Sequence, residues 1–240
     1  MYKGHKILAL VPARSGSQRI KDKNMQKVCG VSLIGWAGMI LRALDWIDSR
    51  VISTDSKEYA YEGERHGLET ILRPDSLSRG QYRSIVPTMI HALNEMEARH
   101  NTEYDVLLLV EPTSPTRSLE DLTGIINLFT TLSDAEAVIS VGPLDKRYCP
   151  EHILKTDLED KLYFVSEKEE DYRGDMFWWC GIGYAYSSKA LREQFGILPK
   201  KSYLYLIDRP VANIDEPIDL LIAEQLMRKG TDWLKESLAS

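Results

Sequence analysis

The sequence is poor in the features that define several classes of protein. It contains only three cysteines, Cys29, Cys149 and Cys180, in 240 residues. Their number is odd and they show no CxxC or Cys/His spacing, which argues against a disulfide framework and against a structural zinc site. Isolated, reduced thiols are expected instead.

Long apolar runs and an excess of positive charge are also missing. The aliphatic run at 106–110 is far too short to cross a bilayer, and the first residues show no apolar stretch typical of a signal peptide. We therefore expect a cytoplasmic protein that does not enter a membrane. The chain has 30 basic and 36 acidic residues and a net charge of −6, which disfavours binding to nucleic acid or to anionic membranes.

What the chain does contain is a regular alternation of short apolar runs and helical patterns. Strands are predicted over residues 7–11, 51–54, 69–72, 105–110, 137–141, 181–186 and 203–207. Helices are predicted over residues 32–44, 57–66, 84–99, 119–132, 188–195 and 216–228. This order predicts an α/β fold with a doubly wound, mostly parallel Rossmann-like sheet, in a single domain over residues 1–240. The pattern is lost at about 142–180, which we interpret as a small inserted excursion.

Polar residues that directly follow the strands are the candidates for a site, because parallel sheets bind ligands beyond the carboxyl ends of their strands. The segment after the first strand, PARSGSQRIKDKN at 12–24, has four cations and one anion, a local net charge of +3. Accessible N–H groups around Gly16, together with the Arg and Lys side chains, suit a polyphosphate. The segment is neither a Walker A loop nor a GxGxxG fingerprint. A solvated surface loop is the alternative.

Two further segments follow the second and third strands. In STDS at 53–56, Asp55 could face a ligand or cap the helix that follows. Arg73 is held extended because Pro74 comes next, which suits a guanidinium directed at a ligand. A surface salt bridge would explain Arg73 nearly as well.

The last two segments follow the most apolar strand and the final strand. Two prolines restrict the turn EPTSPTR at 111–117, which could pre-position polar side chains or serve only as a turn. In NIDEP at 213–217, alternation places Asn213 and Asp215 on one side, where their oxygens could share a Mg²⁺ ion. Pro217 suits the first turn of the last helix, and Asp215 or Glu216 could cap it.

Taken in this order, the segments resemble the acylneuraminate cytidylyltransferase family, the CMP-sialic acid synthetases. That family has a PARGGSK-like loop followed by KN, then STDS, LRP, QPTSPLR, NGAIY and DID. This sequence has PARSGS, KN at 23–24, STDS, LRP at 72–74, PTSP with Arg117, and Ile214-Asp215. The resemblance spans the chain. It implies transfer of CMP from CTP to a hydroxyl of an acidic sugar, with Mg²⁺ as the cofactor and release of pyrophosphate.

The resemblance also implies roles for individual residues. Catalytic roles fall to Arg14, Lys23 and Asp215. The nucleotide would be bound by Ala13, Arg14, Ser15, Gly16, Arg19, Lys23, Asn24, Asp55 and Arg73. The acceptor would be bound by Glu111, Thr113, Ser114, Arg173, Trp178 and Tyr184. Asp215 and Asn213 would hold the metal.

Departures from the family pattern concentrate on the acceptor side. Glu111 stands where the family has a glutamine. Trp178 and Cys180 replace the arginine and asparagine of RPNGAIY, and Arg173 would supply the carboxylate-binding arginine from a shifted position. We therefore expect an acceptor other than N-acetylneuraminate, for example a legionaminate-like or pseudaminate-like acid.

On the nucleotide side the departures are fewer. Asn213 replaces the first aspartate of DID, and Gln18, with Arg19 beside it, replaces the lysine of the loop. Two other functions stay open. One is a related nucleotidyltransferase with a phosphorylated or phosphonate acceptor, and the other is a non-catalytic nucleotide-binding homologue.

A homodimer is expected from the excursion at 142–180. Its aromatic residues are Tyr148, Tyr163, Phe164, Tyr172, Phe177, Trp178 and Trp179. Aromatic residues are enriched at interface cores, and in the resembling family this region crosses into the partner's site. An aromatic mini-core within one subunit is the alternative. His152 could meet the acceptor or be structural.

Overall fold

The computed structural model describes residues 1–78, 84–150, 152–156, 161–165 and 175–230. Its strands are β1 (Ile7–Pro12), β2 (Lys27–Val28), β3 (Val31–Ser32), β4 (Ser49–Thr54), β5 (Glu69–Leu72), β6 (Val106–Leu109), β7 (Ala137–Pro143), β8 (Leu154–Thr156), β9 (Leu162–Phe164), β10 (Phe177–Ser187) and β11 (Ser202–Leu206). Its helices are α1 (Leu33–Arg42), α2 (Lys57–Arg65), α3 (Asp75–Ser78), α4 (Val86–His100), α5 (Leu119–Thr131), α6 (Ser188–Gln194) and α7 (Pro217–Gly230).

A seven-stranded sheet in the order β11-β7-β10-β6-β1-β4-β5 confirms the predicted doubly wound α/β fold. The central strand β1 pairs in parallel with β4 and with β6, so that Leu10 lies opposite Val51 on one side and Leu109 on the other. From β1 the chain moves to β4 and β5 on one side, and then crosses back to β6 on the other. The carboxyl ends of β1 and β6 therefore flank the switch point where open α/β sheets bind ligands.

Both faces of the sheet are buried because the central strands are apolar at successive positions. In β1, Ile7, Ala9 and Val11 pack with residues of α1, α2 and α5 on one face. Leu8 and Leu10 pack with residues of α4 and α6 on the other face. All five are fully buried, and a large aliphatic side chain contributes about 1.5–3 kcal/mol when it is buried in this way.

Serine side chains begin four of the helices. Ser32, Ser56, Ser118 and Ser187 each accept a hydrogen bond from the backbone N–H three residues further on. Ser118 forms a capping box with Asp121. Each cap is worth about 1 kcal/mol and fixes where the helix begins relative to the strand before it. Among the described helices, none is both long and apolar enough to cross a membrane.

The strand β10 departs from the predicted pattern in direction and in length. It runs antiparallel to both of its neighbours, β6 and β7, and begins at Phe177 rather than at 181. Its register shifts between Trp179 and Tyr184, where Gly181 has a φ of +76°. A Cβ at Gly181 would lie 2.3 Å from Ser114 Oγ, so this bulge requires glycine both for its conformation and for its space.

Between β7 and β10 the chain leaves the main sheet. The short strands β8 and β9 pair in antiparallel fashion, with Leu154 opposite Phe164. Both of these side chains and Leu162 are exposed. The charged run at 167–171 and the predicted residues Tyr172 and Arg173 lie outside the described part of the chain.

Candidate functional site

The loop after β1, residues 12–24, is held at the carboxyl edge of the sheet by the loop after β4. We call it the basic loop. Ala13 is buried and its N–H donates to the Ser53 carbonyl at 2.9 Å. The Ser15 N–H donates to Asp55 Oδ1 at 2.7 Å, and the Ser15 hydroxyl donates to Asp55 Oδ2 at 3.1 Å. The next residue, Gly16, has a φ of +71°. Asp55 therefore fixes the first turn of the basic loop.

This arrangement excludes one of the two roles considered for Asp55, that of capping α2. The N-cap of α2 is Ser56, whose hydroxyl accepts from the Tyr59 N–H at 3.3 Å. Asp55 does not cap the helix, and its carboxylate binds the basic loop instead.

The end of the basic loop is tied back to its beginning by Asn24. This residue is buried, and its Nδ2 donates to the Arg14 carbonyl at 3.1 Å. Asp22, just before the 3₁₀ turn Lys23–Met25, has a positive φ of 49° and accepts from the Tyr59 hydroxyl at 3.4 Å. The Arg14 side chain is left exposed at the surface of the loop. Asn24 thus positions the backbone that presents Arg14.

Lys23 connects the basic loop to the segment that precedes α7. Its Nζ donates to the Ile214 carbonyl and to Asp215 Oδ1, both at 3.0 Å. The Lys23 side chain is 18% exposed and that of Asp215 is 57% exposed. A second ion pair, Arg19 with Glu216 at 3.4 Å, is exposed on both sides and so adds little stability.

Arg73 lies beneath the basic loop. It is buried, and one of its terminal nitrogens donates to the Ser53 carbonyl at 2.7 Å, while Nε finds no hydrogen-bond partner within the described residues. Burial lowers the pKa of the guanidinium, with Asp55 opposing this shift and Arg14 adding to it. The predicted nucleotide-binding residues Arg14, Asp55 and Arg73 are therefore electrostatic neighbours.

The turn after β6, residues 111–117, which we call the β6 turn, is organised by an arginine that the sequence analysis did not assign to the site. Arg117 is fully buried and donates through Nε to the Ile182 carbonyl at 2.8 Å. Its Nη2 donates to the carbonyls of Glu111 and Gly181. Burial lowers the pKa of Arg117 to about 10, although Glu111 opposes the shift. In the sequence, the only indication of this role was that an arginine follows two prolines in the same turn.

The predicted acceptor residues in this turn differ in their surroundings. Glu111 is half-buried, and burial raises the pKa of its carboxyl against the attraction of Arg117 and Lys23. Thr113 accepts from the Ile214 N–H through its carbonyl at 2.8 Å. The fully buried Ser114 donates from its hydroxyl to Asn213 Oδ1 at 3.4 Å. Thr113 and Ser114 thus hold the β6 turn against the segment that precedes α7.

That segment corrects the expected cap of α7. Pro217 is the first residue of the helix, as predicted. The N–H groups of Asp215 and Glu216 both donate to Asp219 Oδ2, at 2.9 and 2.8 Å. The capping carboxylate is therefore Asp219, because a side chain one turn inside the helix can reach back to both free N–H groups. The Asp215 carboxylate pairs with Lys23 instead.

The aromatic residues predicted on the acceptor side lie on β10. The Trp178 indole covers Gly142, where a Cβ would lie 2.3 Å from Nε1. The Tyr184 ring lies 4.7 Å from that of Trp179 and is fully buried, and its hydroxyl has no hydrogen-bond partner among the described residues. Burial raises the pKa of Tyr184, and Glu111 adds to this shift. Arg173 lies outside the described residues.

The structure thus brings together the basic loop, Asp55, Arg73, the β6 turn and Asp215 at one edge of the sheet. A separate cleft of about 650 Å³ opens at the opposite end of the sheet, where its lining includes His5, Asp105 and Lys189. None of the predicted site residues lines it. The carboxyl edge of the sheet therefore remains the candidate site.

Comparisons with known proteins give this site its context. The family model described as Cytidylyltransferase matches residues 8–137. The CMP-N,N'-diacetyllegionaminic acid synthase of Legionella pneumophila is 27% identical, over 95% of this chain and 99% of that protein. The N-acylneuraminate cytidylyltransferase of Escherichia coli is 29% identical over 62% of this chain, and the match spans only 34% of that longer protein.

A solved structure shows the same fold. It is that of CMP:2-keto-3-deoxy-manno-octonic acid synthetase complexed with CTP. It superimposes with a TM-score of 0.69 and 14% identity, covering 93% of this chain and 99% of that one. The family match covers more than half of the chain, including the basic loop, Asp55, Arg73 and the β6 turn. The chain belongs to the cytidylyltransferase family and is a CTP-dependent nucleotidyltransferase.

Proposed function

We propose that this enzyme transfers CMP from CTP to a hydroxyl of an acidic sugar of the sialic, legionaminic or pseudaminic type, with release of pyrophosphate. The observation that carries the proposal is the Lys23–Asp215 contact of 3.0 Å. It joins a loop of net charge +3 to an exposed carboxylate at the ligand-binding edge of the sheet. The full-length similarity to the Legionella synthase supports an acidic sugar as the acceptor.

The nucleotide side of the site has the parts that a triphosphate needs. Arg14, Arg19 and Lys23 would neutralise the phosphate oxygens, and the backbone around Ser15 and Gly16 would donate hydrogen bonds to them. Ala13 and Asn24 hold that backbone in place. Asp55 and Arg73 support the loop from the side of β4 and β5 and would help to recognise the nucleotide.

The acceptor side would lie between the β6 turn and β10. Glu111, Thr113 and Ser114 come from the turn, and Trp178 and Tyr184 come from the strand; Arg173 is proposed from the resemblance alone. The acidic side chain of Glu111 can only accept hydrogen bonds when it is ionised, unlike a glutamine. An acceptor that presents a hydroxyl or an amide N–H toward Glu111 would therefore suit this enzyme.

The reaction needs little covalent chemistry from the protein. The acceptor oxygen forms a bond to the α-phosphorus of CTP, the bond from that phosphorus to the bridging oxygen breaks, and the proton of the acceptor hydroxyl passes to water. Pyrophosphate leaves with the negative charge. Phosphoryl transfer of this kind depends on positioning and on neutralised charge, which Arg14 and Lys23 would supply.

The donor set at the site fits Mg²⁺. In nucleotide enzymes this ion is commonly held by one or two carboxylates together with substrate phosphates and water. Within the described ranges no cluster of three or more His, Cys, Asp and Glu could hold a metal, so the ion would depend on the substrate phosphates for further ligands. The Asp215 carboxylate is exposed and contacts Lys23 through one of its two oxygens, Oδ1. Asp215 and Asn213 would be the protein ligands. When bound, the ion would neutralise charge on the departing pyrophosphate.

A pyrophosphate-release assay tests the proposal. The enzyme would be given CTP and Mg²⁺ with N-acetylneuraminate, N,N'-diacetyllegionaminate or 3-deoxy-manno-octulosonate, and turnover is expected with at least one acid. Asp215→Asn should lower kcat/KM by about 100-fold, as for the loss of one electrostatic contact in a transition state. Glu224→Gln, which removes an exposed ion pair with Arg228 on α7, is the matched control and should be neutral.

Other outcomes of the same assay identify the alternatives. Turnover only with a phosphorylated or phosphonate acceptor would replace the acidic sugar by that class. CTP binding without pyrophosphate release from any acceptor would instead identify a non-catalytic homologue.

The proposed enzyme is a cytoplasmic homodimer. Its three cysteines are free, which suits a reducing compartment. The strand β11 forms an edge of the main sheet and exposes Leu204 and Leu206. An exposed apolar edge strand is a pairing surface that proteins normally cover. In the excursion at 142–180, from which the dimer was expected, Leu154, Leu162 and Phe164 are exposed as well. A second copy of this chain is the proposed partner.

A further inference from the structure

Arg117 holds together two parts of the chain that the proposed acceptor must touch. Through Nε and Nη2 it donates to the carbonyls of Gly181 and Ile182 in the bulge of β10 and to that of Glu111 in the β6 turn. The bulge lies within residues 178–184, which we call the acceptor wall. The guanidinium therefore links the bulge of the acceptor wall to the backbone of Glu111 through hydrogen bonds.

The β6 turn is in turn bonded to the segment that carries Asp215. The Thr113 carbonyl accepts from the Ile214 N–H at 2.8 Å, and the Thr116 hydroxyl accepts from the Ala212 N–H at 3.0 Å. These bonds do not involve Arg117. The position of Asp215 relative to the β6 turn is thus secured independently of Arg117.

The two ends of the acceptor wall pair with β6 and β7, and the Gly183 N–H donates to Ser140 Oγ at 3.1 Å. Within the bulge, the Gly181 and Ile182 carbonyls are held against the β6 turn by the guanidinium.

A buried guanidinium is costly unless its donors are satisfied, because it must be removed from water. Arg117 is fully buried, and its Nη1 finds no hydrogen-bond partner among the described residues. A planar fork can reach several carbonyls at once, whereas a lysine presents its donors from a single nitrogen. The planar guanidinium of Arg117 can therefore donate to three carbonyls from two segments, which a lysine ammonium could not reach together.

We propose that Arg117 is a positioning residue for the acceptor, which sets the acceptor wall against Glu111 without contributing to the binding of CTP. The inference rests on the proposed function in one respect, that the acceptor lies between these two elements. The inference adds a residue that would determine the affinity for the acceptor indirectly, through the position of the acceptor wall. Arg117 itself touches neither substrate in this assignment.

The test compares Arg117→Lys with Arg50→Lys. Arg50 is a matched control because its guanidinium also donates to two backbone carbonyls, those of Leu41 and Leu44, at the end of α1. We expect Arg117→Lys to raise the KM for the best acid of the panel about tenfold, as expected for losing a charge-assisted hydrogen bond. The Kd for CTP, measured by calorimetry without acceptor, should stay within about twofold. Arg50→Lys should lower thermal stability and change neither constant.

Amide hydrogen exchange gives a readout that does not need an acceptor. Residues 177–184 should exchange at least about tenfold faster in Arg117→Lys, with no change there in Arg50→Lys. If no acid of the panel is turned over, the proposed function fails, but faster exchange with unchanged CTP affinity still supports the positioning role.

Three results would overturn it. They are parallel losses of CTP and acceptor affinity, unchanged exchange in residues 177–184, and an Arg50→Lys variant that reproduces the change in acceptor KM. If Arg117→Lys does not fold, Gly181→Ala perturbs the same junction, because the added Cβ would lie 2.3 Å from Ser114 Oγ and Gly181 has a φ of +76°, so that the bulge or Ser114 must shift. In this variant too, the KM for the acceptor should rise while the Kd for CTP stays unchanged. If both change together, or neither changes, the assignment is wrong.

Discussion

Asp55 offers a direct test of how the basic loop binds CTP. Asp55→Ala removes the acceptors of two hydrogen bonds from Ser15, at 2.7 and 3.1 Å. A hydrogen bond to a charged group contributes about 1.5–3 kcal/mol. Asp55 is half-buried, so water would replace part of this loss. A net cost of about 2 kcal/mol for ordering the loop corresponds to a roughly 30-fold weaker affinity for CTP.

Two further variants separate this effect from a general loss of stability. Asp55→Asn keeps one side-chain acceptor and should weaken CTP binding by only a few fold. Ser56→Ala removes the neighbouring N-cap of α2, which should cost about 1 kcal/mol of stability without changing CTP affinity. Calorimetric titration measures the CTP affinity of each variant, and denaturant unfolding measures its stability. Wild-type CTP affinity in Asp55→Ala, or an equal loss in Ser56→Ala, would refute the reasoning.

The remaining predictions concern Glu111 and the sheet edge. Since burial raises the pKa of Glu111, the folded protein keeps this proton to a higher pH than the unfolded chain, and its stability falls as the pH rises from about 4.3 through the raised pKa. Denaturant unfolding should therefore show that the stability of Glu111→Gln relative to the wild type increases over this range; a difference that is constant with pH would contradict this. Sedimentation at micromolar concentration should show a wild-type dimer and a Leu206→Lys monomer, because the variant places a charge on the exposed edge of β11. A monomeric wild-type protein would contradict the proposed homodimer.

The sequence predicted well those strands and helices that are marked by the apolar pattern of their own residues. The predicted strand at 7–11 is β1 because an apolar run with Pro12 at its end suits a strand buried on both faces. Helix α1 followed from the spacing of its apolar residues, whereas the four-residue helix α3 was not predicted. An apolar run carries no information about strand direction, and so the antiparallel course of β10 could not be read from it.

The site was predictable as a set of loops but not as a set of contacts. The charge of the basic loop marked it as a ligand site, yet its anchor, Asp55, lies 40 residues away in sequence. Arg117 was visible only as an arginine after a turn, because two of its three carbonyl partners are 64 and 65 residues further on. Asp219 was missed as the cap of α7 because three carboxylates stand within reach of that helix end, and only the folded backbone selects one.

The place of β10 in the sheet also governs the order in which the protein can be completed. During synthesis the chain emerges from its N-terminus, and β6 and β7 are made well before β10, which must then lie between them. The two earlier strands cannot pair with each other in the native sheet, so their inner edges stay unsatisfied until residue 187 has been made. Such non-local pairing slows folding and leaves strand edges open to other chains. Three of the seven strands, β7, β10 and β11, can thus join the sheet only late in synthesis, and a fragment that stops before β10 would leave the inner edges of β6 and β7 unpaired.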